Sequence, residues 1–342
     1  MYESEIQPFL EKFYISLGNS KLKHIIKYSL DGGKYIRGFI VKHVIETLTS
    51  KNSSVEIPWE PIVSVELIQS ASLIIDDLPC MDNDLFRRGK KSTFNNFGER
   101  EAILSALYII SQSIKISVSA LDDIQEQVMP YIEERIKRDS ASESSSPLSK
   151  QGFEYYRLFK DQKNMLVKLT NEWSDLLGEN LIIGQLLDLK EDVEKLFNLK
   201  MPDNNPKTII IYKTCSLFMF SFLQGAFFAK TLNITTNIKQ TMQNDNSTIS
   251  IDDISDNDFN DFKNMGLHFG MMFQLMDDYN DIEQDKLSKS YNFINYYGLT
   301  KAIDLFTLSK QSLITLMIKC NIYTQQMKDL IHIISLKFNK GK

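Results

Sequence analysis

The chain has 342 residues, of which 43% are hydrophobic and 24% charged, and its formal net charge is -5 at pH 7. These proportions are ordinary for a globular protein with a sizeable buried core. The acidic balance argues against a DNA- or RNA-binding protein, although a local basic cluster around a small anionic ligand is still allowed.

Cysteines and the N-terminus bear on location. Cys80, Cys215 and Cys320 are odd in number and far apart, which predicts reduced thiols. The opening "MYESEIQPFLEKFY" has early acids and no unbroken apolar run, unlike a secretory or transit peptide. The most apolar segment, 215–229, is shorter than the roughly 20 residues that span a bilayer. We therefore expect a cytoplasmic protein without a transmembrane segment.

Helical patterning dominates in chain order. Segments 61–77, 100–117, 169–189 and 263–281 are long, poor in Pro and Gly, and apolar on one face or all round. Two stretches, 138–152 and 233–258, are polar and weakly periodic, so we expect surface loops or disordered inserts there. Core patterning resumes after each insert, which predicts one all-α domain over 1–342.

Two aspartate clusters end apolar helices, where an unpaired buried carboxylate is costly. In "DDLPCMD", Asp76 and Asp82 are six residues apart, and we infer that Pro79 bends the chain so that Asp82 returns to Asp76. Asp277 and Asp281 are four apart and share a helix face. Such carboxylate sets suit Mg²⁺, and two clusters facing each other would hold a diphosphate between metal ions.

A solvated helix end is the plain alternative for an aspartate pair. Basic residues nearby argue against it: Arg87 and Arg88 follow the first cluster in "RRGKKS", and Lys34 and Arg37 lie in "DGGKYIRG". Lysine and arginine are the side chains that phosphate binding requires.

The ordered motifs "GGKYIRG", "ELIQSASLIIDDLPCMDNDLFRRGKKS", "GQLLDL", "YKT" and "GMMFQLMDDYND" resemble those of the trans-type isoprenyl diphosphate synthases, or polyprenyl synthetases. The resemblance runs from about residue 28 to 300 and is closest to geranylgeranyl diphosphate synthases. It implies a single isoprenoid synthase domain, a helical bundle around a central apolar cavity. It also implies a homodimer, with 101–118 and 215–229 as candidate interface segments.

The resemblance implies roles for individual residues, with about three Mg²⁺ ions per site. The implied metal ligands are Asp76, Asp77, Asp82, Asp277, Asp278 and Asp281. Isopentenyl diphosphate would contact Gly33, Lys34, Arg37, Gln69 and Arg88. The allylic diphosphate would contact Arg87, Lys213, Thr214, Gln274 and Lys289, with Lys286 as the alternative to Lys289. The implied catalytic set is Asp76, Asp77, Asp82, Asp277 and Lys213.

The implied reaction is the head-to-tail (1'-4) condensation of isopentenyl diphosphate with an allylic diphosphate. Ala71 and Ser72 lie one helical turn before Asp76, where a bulky aromatic side chain in the family stops growth at C15. Because Ala71 is small, we expect geranylgeranyl diphosphate (C20) or a longer all-trans product, unless Phe97, Tyr108 or a partner subunit provides a deeper floor.

Three alternatives stay open: a farnesyl diphosphate synthase, a terpene cyclase, and a non-catalytic regulatory subunit of the same fold. A cyclase more often carries an asparagine/serine/glutamate-type second motif. A regulatory subunit is expected to lose an aspartate cluster or the "RRG" arginines. Here "DDYND" with an intact "GGKYIR" site argues against a cyclase, and the chain keeps both aspartate clusters and both arginines, which argues against a regulatory subunit.

Overall fold

The computed structural model describes residues 2–49, 55–141, 150–189, 205–243, 256–288 and 290–339. These residues are almost entirely helical, and the strands among them form one short hairpin. The all-α prediction is confirmed.

Contacts divide the chain into two compact units. Unit 1 comprises Met1–Asn171 and Gln224–Ile254, and unit 2 comprises Glu172–Leu223 and Ser255–Lys342. The single domain over 1–342 stays a prediction.

Unit 1 begins with helices that surround α4. Its described elements are α1 (Glu3–Ser16), α2 (Lys21–Leu30), α3 (Ile36–Thr49), α4 (Glu60–Asp76), β1 (Phe86–Arg87), β2 (Lys90–Lys91), α5 (Thr93–Phe97), α6 (Glu99–Glu126), α7 (Met129–Ala141) and α8 (Lys150–Trp173). Helix α4 has Pro61 in its first turn, which the fixed φ of proline suits, and it packs mainly against α6 and α3. Because α4 is apolar all round, it is the buried centre of this unit.

Unit 2 contains two π-helical segments. Its described elements are π1 (Ser174–Asn180), α9 (Leu181–Asp188), α10 (Pro206–Ile209), π2 (Ile210–Cys215), α12 (Asp256–Asn280), α13 (Ile282–Ser288), α14 (Phe293–Tyr297), α15 (Leu299–Lys319) and α16 (Gln325–Asn339). Helix α11 (Ser216–Gln243) contributes residues 216–223 to this unit and the rest to unit 1. Helix α12 packs against α15, π2 and α16.

A buried polar network fixes the part of α11 that lies in unit 1. The Gln224 amide donates to the Pro61 carbonyl (2.6 Å) and to Ser64 Oγ (2.8 Å), and its oxygen accepts from Ser117 Oγ (2.8 Å). Both the amide nitrogen and the oxygen of Gln224 are therefore hydrogen-bonded within an otherwise largely apolar run, as a buried amide requires.

Segment 215–229 is a core segment of this chain. Nearly all of its side chains are buried, including Phe218, Phe222 and Phe228. The sequence allowed either a buried core helix or a subunit-interface helix here; the burial supports the core interpretation and corrects the interface one, because the segment has no exposed apolar face.

By length and composition alone, two spans among the described residues could cross a membrane: Glu99–Glu134 and Pro206–Gln240. Most of the second is buried within the chain, as a core helix is, and about a third of the first is buried. Length and composition do not by themselves establish a membrane span.

Part of each predicted polar insert is helical. Residues 138–141, 150–152, 233–243 and 256–258 are helical, whereas 142–149 and 244–255 lie outside the described residues. In 233–243 the buried Ile234 and Ile238 are four apart, and the Asn233 amide donates to the Leu48 carbonyl (3.0 Å). The loop prediction was wrong for this stretch because two apolar residues are enough to hold one helix face against the core.

The two units share a local motif. In each, a short helix ends at a glycine with φ near +90 to +100° and a long helix follows: α5, Gly98 and α6 in one unit, α14, Gly298 and α15 in the other. The Asn95 amide donates to the Leu85 carbonyl (2.9 Å), and the Asn295 amide donates to the Ile282 carbonyl (3.0 Å). The aspartate cluster precedes this motif in both units.

Candidate active site

The first aspartate cluster forms a tight turn at the end of α4. The Asp82 backbone N–H donates to the Asp76 carbonyl (2.9 Å), and the Asn83 N–H donates to the Leu78 carbonyl (3.0 Å). Pro79 lies inside this turn, which returns Asp82 to Asp76 as inferred from the sequence. Asp82 is exposed and Asp76 is partly exposed.

Asp77 differs from its neighbours because it is buried, with 2% of its surface exposed. Its Oδ1 accepts from Arg87 Nε (2.8 Å) and also from Arg87 Nη2, which donates to Asp84 Oδ2 as well (2.9 Å). Burial raises the pKa of the Asp77 carboxyl against the lowering effect of Arg87. Asp77 therefore orients Arg87, the side chain expected to contact the allylic diphosphate.

The β1–β2 hairpin carries both arginines of "RRG". Arg88 and Gly89 form its two-residue turn with positive φ, as in a type I′ turn. Arg88 Nη1 donates to the carbonyls of Ser29 (3.3 Å), Leu30 (3.2 Å) and Asp31 (3.2 Å). The hairpin thus binds the aspartate turn through Arg87 and the C-terminal end of α2 through Arg88, where the helix dipole favours a cation.

Lys90 was not predicted to have a role, although it lies in the quoted "RRGKKS" motif. It strengthens the contact with α2 by donating to the Tyr28 carbonyl (2.7 Å) and to Asp31 Oδ2 (2.9 Å).

The remaining predicted contacts for isopentenyl diphosphate lie around the start of α3. Lys34 is exposed, Arg37 and Gln69 are partly exposed, and Gly33 is buried. Sequence reasoning missed Glu66, a buried carboxylate on α4 that accepts from the Gly38 N–H (2.7 Å). Its only signal was a lone acid in the apolar run "VSVELI".

Charge explains why Glu66 is tolerated in the core. Burial raises the pKa of Glu66, while the Gly38 N–H and the guanidinium groups of Arg37 and Arg88 act to lower it. Glu66 therefore places a hydrogen-bonded carboxyl group among the cations expected to bind a diphosphate.

The second aspartate cluster continues the last turn of α12. The Asp281 N–H donates to the Asp277 carbonyl (3.0 Å), so the two residues share a face as predicted. Asp281 is exposed and Asp277 is partly exposed.

Asp278 is buried, and both of its carboxylate oxygens accept hydrogen bonds. Oδ1 accepts from Gln274 Nε2 (2.8 Å), and Oδ2 accepts from the Phe293 N–H (2.8 Å) at the start of α14. Burial raises the pKa of Asp278 to about 6, against the lowering effect of these two donors. Gln274 in turn accepts from Thr214 Oγ1 (2.7 Å), which links two residues predicted to contact the allylic diphosphate. The assignment of Asp278 as a metal ligand stays a prediction.

Lys213 lies in π2, an irregular helix type that is frequent at functional sites. Its Nζ donates to Asp188 Oδ2 at the end of α9 (2.6 Å). Asp188 is a residue that sequence reasoning missed, although it lies in the quoted "GQLLDL" motif. The pair keeps the ammonium group oriented and partly shielded from water.

Gly184 permits this pairing. A Cβ at residue 184 would lie 2.5 Å from the Lys213 backbone N and 2.8 Å from its Cα, closer than atoms can pack. The glycine therefore lets α9 approach π2 closely enough for Asp188 to reach Lys213.

Four predicted positions remain. Ala71 is buried, and Ser72 is partly buried with its Oγ donating to the Gln69 carbonyl (3.0 Å). Lys289 lies outside the described residues, and Lys286 is exposed on α13. The choice between the two lysines therefore stays open.

The donor chemistry of both clusters fits Mg²⁺, because each presents two carboxylates that are at least partly exposed and linked by a backbone hydrogen bond. Within the part of the chain that the structure describes, no three His, Cys, Asp or Glu side chains converge closely enough to hold a metal by themselves.

Comparison with known proteins identifies the family. The model of the family described as polyprenyl synthetase matches residues 19–293. The chain belongs to this family. It is 28% identical over 331 residues to the farnesyl diphosphate synthase of Buchnera aphidicola subsp. Schizaphis graminum, covering 94% of this chain and 90% of that protein.

Two further comparisons agree. The chain is 26% identical over 291 residues to the farnesyl diphosphate synthase of Bacillus subtilis, covering 84% of this chain and 75% of that protein. The crystal structure of a geranyltransferase from Legionella pneumophila superposes with a TM-score of 0.64 at 20% identity, covering 99% of this chain and 94% of that chain. This polyprenyl synthetase therefore has the fold of that solved structure.

We expect Gly184→Ala to lower the free energy of unfolding by about 2 kcal/mol or more, because the added Cβ overlaps the backbone of Lys213. Urea or thermal unfolding measures the change. Gly178→Ala is the matched control, since a Cβ there meets nothing within 4 Å and alanine favours a helix. Equal stability of the two variants would contradict the close approach of α9 and π2.

Proposed function

We propose that this polyprenyl synthetase is a Mg²⁺-dependent prenyltransferase that condenses isopentenyl diphosphate with an allylic diphosphate head to tail. The observation that carries the proposal is the difference in burial among the aspartates of each cluster. One aspartate is buried and anchored, Asp77 by Arg87 and Asp278 by Gln274 and the Phe293 N–H, and two others are left at least partly exposed. Each unit also carries an oriented cation, Arg87 in unit 1 and Lys213 in unit 2.

Metal and cations would act on the leaving group. Asp76 and Asp82 in unit 1, and Asp277 and Asp281 in unit 2, would hold the Mg²⁺ ions, which when bound supply positive charge to the diphosphate oxygens. Arg87 and Lys213 would each donate hydrogen bonds to an allylic diphosphate as the allylic C–O bond breaks and its electron pair leaves with the diphosphate.

The second substrate would complete the reaction. Lys34, Arg37 and Arg88 would hold the diphosphate of isopentenyl diphosphate so that its double bond can attack the allylic cation. The π electrons form the new C–C bond, and a proton then passes to the released diphosphate. The Thr214 and Gln274 oxygens, fixed by their mutual hydrogen bond, would stabilise the cation without forming a bond to it.

Product length is the finer part of the proposal. Small Ala71 supports geranylgeranyl diphosphate or a longer product, because residues 71 and 72 carry no bulky aromatic side chain. The second candidate is farnesyl diphosphate, and it is supported by the names of the two curated relatives described above. The intact aspartate clusters and "RRG" arginines argue against a terpene cyclase or a regulatory subunit.

We also propose a homodimer through α6. Helix α6 exposes Ile103, Leu104 and Leu107, with 42%, 59% and 58% of each residue's surface accessible, and a second copy of the chain would cover this apolar face. A cytoplasmic location is proposed on the free cysteines Cys80, Cys215 and Cys320.

The purified chain, Mg²⁺ and isopentenyl diphosphate should give elongated products with C5, C10 or C15 allylic diphosphates, and chromatography sizes them. Asp76→Asn should reduce turnover on the order of a hundredfold or more, because it removes one metal-binding charge. Asp123→Asn, an exposed change on α6, should leave turnover unchanged.

Two results of this assay would count against the proposal. Absence of product from the wild-type chain with every starter would refute the transferase activity. Full activity of Asp76→Asn would refute the metal role of the first cluster. Circular dichroism on each variant separates lost chemistry from lost folding.

Ala71→Phe should shorten the product by one or more five-carbon units, because the phenyl ring would occupy the space proposed for the growing tail. Product sizing measures the change, and Ala71→Ser, which adds one small atom, should keep the wild-type length. A folded Ala71→Phe variant with unchanged product would show that the floor lies elsewhere.

Leu104→Glu combined with Leu107→Glu should convert the proposed dimer to a monomer, because two charges would enter a desolvated apolar interface. Light scattering after size exclusion gives the mass. Leu308→Glu, an exposed leucine on α15, is the control. A wild-type monomer would contradict the proposal directly.

A further inference from the structure

Tyr35 has an unusual conformation. It lies between Lys34 and Arg37 in the "GGKYIRG" segment, and its φ is +52°, a left-handed value that favours glycine. The residue is nevertheless a tyrosine and is buried, with 3% of its surface exposed. A strained backbone persists only where surrounding contacts hold it.

Two contacts hold Tyr35. Its hydroxyl donates to the Leu30 carbonyl (2.8 Å) at the end of α2. Its ring lies against Gly33, where an added Cβ would be 3.0 Å from Tyr35 Cε1 and 3.3 Å from the Leu30 oxygen. Residues 30–35 therefore form a small loop, and the hydrogen bond from the Tyr35 hydroxyl to the Leu30 carbonyl closes it.

The Leu30 carbonyl also accepts from Arg88 Nη1 (3.2 Å). One backbone oxygen thus receives hydrogen bonds from Tyr35 and from the arginine on the hairpin turn. Lys34 and Arg37 belong to the segment that Tyr35 anchors, and Arg88 belongs to the hairpin. The shared oxygen fixes these two groups of cations relative to each other within unit 1.

The hydroxyl remains a donor at every physiological pH. Burial raises the pKa of Tyr35 to about 12, with Glu66 adding to the effect. The hydrogen bond from the Tyr35 hydroxyl to the Leu30 carbonyl is therefore present throughout the physiological pH range.

We propose that Tyr35 is a positioning residue for the binding of isopentenyl diphosphate. Through the Leu30 carbonyl, Tyr35 holds Lys34 and Arg37 in position relative to Arg88, so that all three cations can bind the diphosphate. The inference rests on the proposed function and deepens it. Tyr35 itself would not contact the substrate. It would act through Lys34, Arg37 and Arg88, whose positions depend on the Leu30 carbonyl oxygen.

The test is Tyr35→Phe, which keeps the ring and removes only the hydroxyl. We expect the KM for isopentenyl diphosphate to rise about fivefold, the effect of one typical hydrogen bond. The KM for the allylic diphosphate and kcat should stay within about twofold. Ser113→Ala removes another buried hydroxyl that donates to a carbonyl of unit 1, that of Ser64, and should leave both KM values unchanged.

Calorimetry with isopentenyl diphosphate alone supplies a readout that needs no turnover. Tyr35→Phe should weaken this binding by the same factor. Equal binding by Tyr35→Phe and wild type would overturn the inference, and so would a parallel rise of both KM values with a lower unfolding midpoint. An inactive wild-type chain that still binds isopentenyl diphosphate more tightly than Tyr35→Phe would refute the proposed reaction and leave the positioning role supported.

Should Tyr35→Phe fail to fold, Gly33→Ala provides a second test. The added methyl group presses on the Tyr35 ring while the hydroxyl remains, so the same selective loss of isopentenyl diphosphate binding is expected. Binding equal to wild type in a folded Gly33→Ala variant would overturn the inference.

Discussion

The cost of burying a carboxylate governs both aspartate clusters. An ionised side chain taken out of water loses several kcal/mol unless charge or hydrogen bonds replace its hydration. Asp77 and Asp278 meet this requirement differently: one is bound by Arg87, and the other by the Gln274 amide and the Phe293 N–H. Once these are anchored, the adjacent aspartates can remain at the protein surface, where a hydrated cation can reach them.

The same solution appears in each unit together with the same local motif. An apolar helix ends in two aspartates, and after a short connection comes a five-residue helix, a glycine and a second long helix. Ala102 and Ala302, each four residues after that glycine, are both fully buried. The parallel indicates that this arrangement is a structural unit in its own right, used twice in one chain with different anchoring partners.

Local rules were sufficient for the features that depend on nearby residues. Helical periodicity predicted the all-α class, Pro79 predicted the return of Asp82, and i,i+4 spacing predicted the shared face of Asp277 and Asp281. Pairs that are far apart in sequence were out of reach: Asp188 with Lys213, Glu66 with Gly38, and Asp278 with Phe293. Such contacts depend on tertiary packing, which produces no periodic pattern in the sequence. The helix over 233–243 was not predicted for the same reason.

The π-helical segment that carries Lys213 and Thr214 has a consequence for how the sequence can vary. A π turn holds one residue more than an α turn, and each residue of an α-helix corresponds to about 100° of rotation. Losing a single residue from 210–215 would restore regular α geometry and rotate the preceding segment about the axis of α11. Lys213 would then turn away from Asp188 even if every remaining side chain were retained. Chain length in this segment is therefore a constraint in addition to the identities of Lys213 and Thr214, and related sequences should carry few gaps there.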